Sequence, residues 1–276
     1  MNTVAAKETV RPSGNVPAGP GATTQLIASL MPPALLLMAI LVAWELLVRV
    51  LEVPLFVLPP PTSIVTELIT KQAALLAAAW ITGEEVLYGF VISTVVGSAL
   101  ALAIARYDYL GKALYPLMVL FQSVPKIALA PLFILWFGYD LMPKIALIVV
   151  IAFFPIALNM LVGLRSADPN LVALLKSVGA SRNEILLRVQ VPNALPYLMA
   201  GMKVAITLSV IGAIVGEFAG ASAGLGYMIQ FASTQMETAL VFAALVEVSV
   251  LGVLFYYAVE LLERRYITWA PNTQAG

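Results

Sequence analysis

The sequence predicts an all-α integral membrane protein with six transmembrane helices, and three observations carry that prediction. Hydrophobic residues fill 61% of the 276 positions and charged residues only 11%, and the mean hydropathy is +0.97. The apolar residues gather into runs of about twenty, long enough to cross a ~30 Å hydrocarbon layer as helices. The runs are continuous rather than alternating, which excludes a barrel and leaves helices that satisfy their own backbone groups.

Residues 1–30 are rich in Pro, Gly, Ala and Thr without apolar periodicity, and they predict a disordered tail. No basic stretch leads there into a short apolar core with a small-residue cleavage site, so the first span is expected to be kept. The transmembrane domain is expected over 31–266, with a short tail at 267–276. Its first span is Met31 to Leu51, with Pro32 and Pro33 in the first turn, where their missing N–H groups cost little. After the prolines of "VLPPPTSI", Ile64, Val65, Leu68 and Ile69 recur at helical spacing and predict an amphipathic helix at the interface. The second span runs from about Val86 to Ala105, with Glu84 and Glu85 marking the outer headgroup level. The third, Ala113 to Gly138, is interrupted by Pro125, Lys126 and Pro131. The fourth is Ile145 to Leu164, the fifth Tyr197 to Gly220 and the sixth Ala239 to Glu260. Gly212, Gly216 and Gly220 recur every four residues along span five, as do Gly201, Ala205, Ser209 and Ala213 beside them. Such rows let a neighbouring helix approach closely, whether within the chain or in a second copy. Gly224 and Gly226 are expected to shape the outer loop.

Absences narrow the chemistry. With no Cys and no His, thiolate nucleophiles, imidazole bases and the commonest zinc ligands are missing, and no catalytic, cofactor or metal site is expected. No G-x-x-x-x-G-K-[ST] run occurs, so ATP is expected to be handled by a partner. A formal net charge of zero argues against nucleic acid.

Basic residues set the orientation. With the N-terminus inside, ten of the fifteen lie inside: Lys7, Arg11, Arg106, Lys112, Arg165, Lys176, Arg182, Arg188, Arg264 and Arg265. Three (Arg49, Lys71, Lys144) fall at the outer face, and Lys126 and Lys203 lie within spans. The positive-inside rule then predicts both termini in the cytoplasm.

The 165–196 loop reads as a two-helix elbow. Asp168 is an N-cap with Pro169 at the first helical position, and Leu171, Leu174, Leu175 and Val178 follow at i, i+3, i+4 and i+7. Gly179 is placed for a left-handed stop, and Ser181-Arg182-Asn183-Glu184 has the form of a capping box that opens a second helix. Glu184 and Arg188 can pair at i, i+4. The second helix is expected to end near Pro192, with Pro196 at the entry to span five. By physical pattern alone such an elbow could rest on headgroups as well as on a protein.

Gly179, then nine residues, then Val189-Gln190-Val191-Pro192, followed by "NALPYLMAGMKVAI", resembles the cytoplasmic "EAA" loop of permease subunits of ABC importers. Gly179, Ala180, Val189, Val191, Pro192, Pro196 and Gly201 agree with the family pattern. Ala173, Leu174 and Leu175 stand where that pattern has E-A-A, so the glutamate is missing. "QSVPKIALAPLFILWFGYDLMPK", "FFPIALNMLVGLRSADPNL" and "IGAIVGEFAGASAGLGYMI" look like the corresponding segments of the nitrate/sulfonate/taurine branch, and the likeness runs from span one to Tyr266. The resemblance implies the type I importer fold. It also implies a permease of the bacterial inner membrane, usually as two copies, with two ATP-binding subunits below and an extracytoplasmic substrate-binding protein above. The loop would then be the coupling element. Ala173, Leu174, Leu175, Gly179, Ala180, Arg182, Glu184, Arg188, Val189 and Pro192 would face the ATPase, gripping it without the glutamate. Cargo in that branch is nitrate, a sulfonate, taurine, a pyrimidine precursor or riboflavin.

Three charges inside spans are candidates for the translocation path, because a charge in lipid is costly and faces protein or water. They are Lys126 at the broken helix, Glu217 in the last turn of span five and Glu247 in span six; each has a packing role as its rival. The rival class for the whole chain is an ion-coupled secondary transporter, but the first three spans show no repeat in the last three. A membrane hydrolase lacks a histidine base.

Overall fold

The computed structural model describes residues 22–269, with the side chains of 22–30, 108, 110, 115 and 119 outside that description. The first unit is the helix α1, Ala22–Val50. It begins nine residues ahead of Met31, because Leu26, Ile27 and Leu30 extend the apolar helix backward. Pro32 and Pro33 therefore lie inside it rather than in its first turn, and they remove two backbone donors there. Arg49 is ion-paired with Glu45 one turn back, at 2.6 Å. Residues 1–21 of the expected tail and residues 270–276 of the expected C-terminal tail lie outside the described residues.

The second unit starts at Val53. Its first helix, α2, is Pro61–Thr70: Pro60 is extended at the N-cap and Pro61 takes the first turn, where no N–H is needed. Ile64 is its buried residue, and the helix lies against later elements of the unit. Helix α3, Gln72–Arg106, is longer than the expected second span. Its alanine-rich start, "QAALLAAAW", continues the helix through Glu84 and Glu85, so Glu85 is not a headgroup marker. It is 1% exposed.

The third span is broken as the prolines predict. α4 (Asp108–Gln122) and α5 (Ala130–Phe137) are joined through a 3₁₀ turn at Lys126–Leu129, and the two arms meet at 88°. Pro125 disfavours helical geometry at Val124, and Pro131 fits only the opening turn of the next helix. Among the described residues, five helices are long and apolar enough to cross a membrane, six when this bent pair is counted as one span.

Helix α6, Leu141–Arg165, sits at the centre, with α3 on one side and α9 (Val191–Gly220) on the other. Glycines set both contacts. On α3, a Cβ at Gly89 would overlap Ile148, and one at Gly97 would overlap Ile156 and the Phe153 carbonyl. On α9, Gly201 meets Pro155, Gly212 meets Ile148 and Gly216 meets Lys144. Gly212 and Gly216 of span five thus pack on α6 of the same chain, and Gly220 meets Ile134 of α5 and Tyr139. Val86, Ile148, Ile156, Ala205 and Ala213, all fully buried, form the core of this three-helix layer. Burying a side chain such as Val86, Ile148 or Ile156 contributes roughly 1.5–3 kcal/mol in water, but much less against lipid, where close packing is the main gain.

Between α6 and α9 stand α7 (Pro169–Ser177), a single turn α8 (Arg182–Ile185) and a π-helical turn, Leu186–Gln190. The expected break near Pro192 is absent, and α8, the π turn and α9 run on as one 39-residue rod. Pro192 falls in the first turn of α9, and the wider π turn just before it shifts the hydrogen-bond register where prolines supply no donor. After α9 comes α10, Leu225–Thr234, whose ten residues span about 15 Å, half a bilayer. Helix α11, Thr238–Tyr266, packs on α9, α10 and α2 and closes the unit.

Candidate functional site

The elbow is built from local rules, and each is visible. The Asn170 N–H donates to Asp168 Oδ1 at 2.8 Å, with Pro169 following the cap. Helix α7 ends with Gly179 at φ +82°; the Gly179 N–H donates to the Lys176 carbonyl and the Ala180 N–H to the Leu175 carbonyl. This paired closure of two end carbonyls needs a left-handed residue, and glycine takes that conformation without a Cβ penalty. Two residues on, the Glu184 N–H donates to Ser181 Oγ at 3.2 Å and the Ser181 N–H donates to Glu184 Oε2 at 2.8 Å. The capping box is complete. Donation from the Ser181 backbone, then from its hydroxyl, holds the Glu184 carboxyl below the usual glutamate range. The carboxylate is thus engaged in the cap, and Arg188 is a minor influence on it rather than its main partner.

Two ties hold this elbow to the spans. Asn193 Nδ2 donates to the Gly163 carbonyl at 2.9 Å and to Ser166 Oγ at 3.0 Å, joining the start of α9 to the end of α6. Arg106 Nε donates to Asn183 Oδ1 at 2.5 Å, joining the end of α3 to α8. Ile185 and Leu186 are buried beneath. The opposite side is bare: α7 has no buried residue, and Leu171, Leu174 and Val178 lie along it exposed, Val178 to 73%. Of the expected contact residues, Ala173, Leu174, Gly179, Arg182, Glu184 and Arg188 are exposed. Leu175, Ala180, Val189 and Pro192 are half-buried. Arg182 joins Lys112 and Arg165 around a cavity of about 610 Å³ beside the elbow.

The three span charges do not converge. Lys126 is half-buried on the 3₁₀ turn, its ammonium 4.9 Å from the centre of the Phe154 ring, a cation–π contact. Glu247 is half-buried on α11, facing a cavity of about 300 Å³ lined by Leu68, Ile69, Gln72, Leu75 and Leu76. Glu217 is 0% exposed: it accepts from Thr82 Oγ1 at 2.7 Å and from the Gly226 N–H. These donors place it at the junction of α3, α9 and α10.

The sequence reading missed two ion pairs between helices. Lys144 of α6 meets Glu85 of α3 at 2.5 Å, and Lys203 of α9 meets Glu263 of α11 at 2.5 Å. The available signal was the rule that a charge at span depth needs a partner; what was missing was which helices touch.

The family of binding-protein-dependent transport system inner membrane components matches residues 93–268. The chain belongs to this family. The permease is 37% identical over 238 residues to the formylaminopyrimidine transport permease ThiX of Halalkalibacterium halodurans, covering 86% of this chain and 95% of the relative. It is 34% identical to the riboflavin transport permease RibX of Chloroflexus aurantiacus, covering 86% and 89%. To the taurine transport permease TauC of Escherichia coli it is 28% identical, covering 84% and 86%. Its fold matches the permease of an inward-facing MetNI methionine ABC transporter with a TM-score of 0.62 at 20% identity, covering 71% of this chain and 97% of that one. The permease is therefore a multi-pass inner-membrane protein of an ABC importer that works with ATP-binding subunits and a substrate-binding protein.

Proposed function

We propose that the permease works as a homodimer with two ATP-binding subunits and that the elbow is the surface on which each ATPase docks. The observation that carries this is the bare stripe Leu171, Leu174 and Val178 on a helix closed at both ends by rigid caps. An apolar stripe flanked by Lys176, Arg182 and Arg188 suits a groove that is apolar inside with an acidic rim. The missing glutamate at Ala173 leaves apolar burial as the main attraction. Closure of the ATPases would move α7, and the Asn193 and Arg106 ties would pass that movement to α6, α9 and α3.

Both termini are assigned to the cytoplasm on the ten-to-three excess of basic residues. In support, Arg106 lies at the elbow end, whereas Lys71 pairs with Glu237 at the junction of α10 and α11. The cargo is assigned to small organic solutes of the kind named for the relatives: formylaminopyrimidine, riboflavin and taurine. The test is reconstitution in vesicles with the ATP-binding subunit and the binding protein. ATP-dependent uptake competed by one of these solutes is expected, and Leu174→Asp with Val178→Asp should abolish retention of the ATPase subunit without loss of membrane insertion. Full retention by that double variant would refute the docking surface.

A further inference from the structure

The polar groups at the far end of α9 form a built site. Thr82 of α3, Glu85 of α3, Lys144 of α6 and Glu217 of α9 converge on the start of α10, and Thr82, Glu85 and Glu217 are at most 1% exposed. The first two N–H groups of α10 are both satisfied from outside the helix: Leu225 donates to Thr82 Oγ1 at 2.9 Å, and Gly226 donates to Glu217 Oε2. The glycines on either side of Leu225 are demanded by this arrangement. Gly224 stands at φ +109°, and a Cβ there would overlap the Glu217 carboxylate; a Cβ at Gly226 would come within 2.8 Å of Glu217 Oε2. The chain is shaped so that a carboxyl fits against backbone.

Charge does not balance in this seat. Glu85 from α3, Lys144 from α6 and Glu217 from α9 are its ionisable groups among the described residues, and α10 brings only backbone donors. Lys144 is committed to Glu85 Oε1, at 2.5 Å. Glu85 Oε2 is buried without a donor. Thr82, one turn before Glu85 on α3, donates to Glu217 Oε1 at 2.7 Å, which sets the Glu217 carboxyl beside Glu85. Two carboxylates cannot hydrogen-bond each other, and two negative charges against one ammonium at span depth are costly. A carboxylic acid beside a carboxylate removes both problems: its O–H supplies the missing donor, and the three groups become neutral together.

We propose that Glu85 and Glu217 share one proton, so that the seat of α10 is a proton-binding site. The bond formed is O–H···O between the two carboxyls, with the proton taken from water. While it is bound, α3, α6 and α9 are tied at one point, and α10 hangs from that point by its first two N–H groups. Loss of the proton leaves the Glu85 oxygen facing a second negative charge and loosens the seat.

Infrared difference spectroscopy on the full-length chain in phospholipid vesicles tests this. The wild type should show the C=O stretch of one buried, protonated carboxylic acid. Glu217→Gln should remove it, since the amide replaces the proton as donor to Glu85. Glu85→Gln should remove it as well, with Glu217 now ionised, and this second variant reads the same band if the first fails to fold. Lys144→Met should strengthen the band about twofold, because both carboxyls must then be neutral. A wild-type chain without such a band, or a band that survives in either folded glutamine variant, overturns the proposal.

Discussion

Gly179→Val is the most informative change the elbow offers. The residue stands at φ +82°, and beyond its chain neighbours no atom lies within 4 Å of where its Cβ would be. A Cβ there meets no neighbouring element, so the cost of leaving glycine is conformational in the first place. A non-glycine residue held left-handed costs of order 1–3 kcal/mol, with a β-branched one at the upper end. If docking needs this turn, a penalty of 1–3 kcal/mol lowers the docking-competent fraction about 5- to 150-fold. Alanine should fall lower in that range, and asparagine, which tolerates the left-handed region, should be mildest. The assay is paired: ATP hydrolysis and uptake by the assembled importer in vesicles, with membrane-inserted chain quantified. The expected order of coupled uptake is Gly, Asn, Ala, Val, at equal insertion. Wild-type uptake by Gly179→Val, or a loss explained wholly by reduced insertion, would refute the claim that this turn transmits movement.

Four further outcomes are expected. Asn193→Ala removes two hydrogen bonds between α9 and α6 and should lower thermal stability by about 1–3 kcal/mol while reducing uptake per ATP hydrolysed, as a melting curve and the paired assay would show. Neutralising Lys203 or Glu263 singly should destabilise the chain more than neutralising both, because a lone charge between α9 and α11 costs more than none; a double-mutant cycle of melting temperatures checks it. Glu184, with its carboxyl held below the usual range, favours the elbow above the unfolded pKa, and that contribution is lost as pH falls through the folded value. Acid titration of protease cleavage at the elbow should therefore show a transition that Ser181→Ala shifts towards neutral pH. Lys126→Ala should lower uptake without changing insertion if the ammonium over Phe154 guides cargo, and normal transport by that variant would remove it from the path.

The elbow was legible because its rules are local. Asp168-Pro169, Gly179 and Ser181 to Glu184 each act within five residues of chain, and all three took the conformation their residue types demand. The broken third span was legible for the same reason, with Pro125 and Pro131 restricting their own neighbours. Helix starts were harder. Nothing in the alanine-rich 72–80 stretch says where lipid begins, so the span expected from Val86 is shorter than α3 and Glu85 is expected at the surface. Its partner Lys144 lies 59 residues away, and only the α3 to α6 crossing reveals the pair. The glycines of span five announced close approach but not to what, since Ile148 and Lys144 of α6 supply surfaces that spacing does not identify.

The uninterrupted course of α8, the π turn and α9 has a mechanical meaning. One rod of 39 residues, about 58 Å long, carries the Ser181 cap at one end and Glu217 near the other. Helix α6 packs antiparallel along it on small residues, from Gly163 against Ala194 and Tyr197 to Lys144 against Gly216, so the rod is bound to α6 over most of its length. A displacement at the Ser181 end would then carry α6 with it rather than pivot about it.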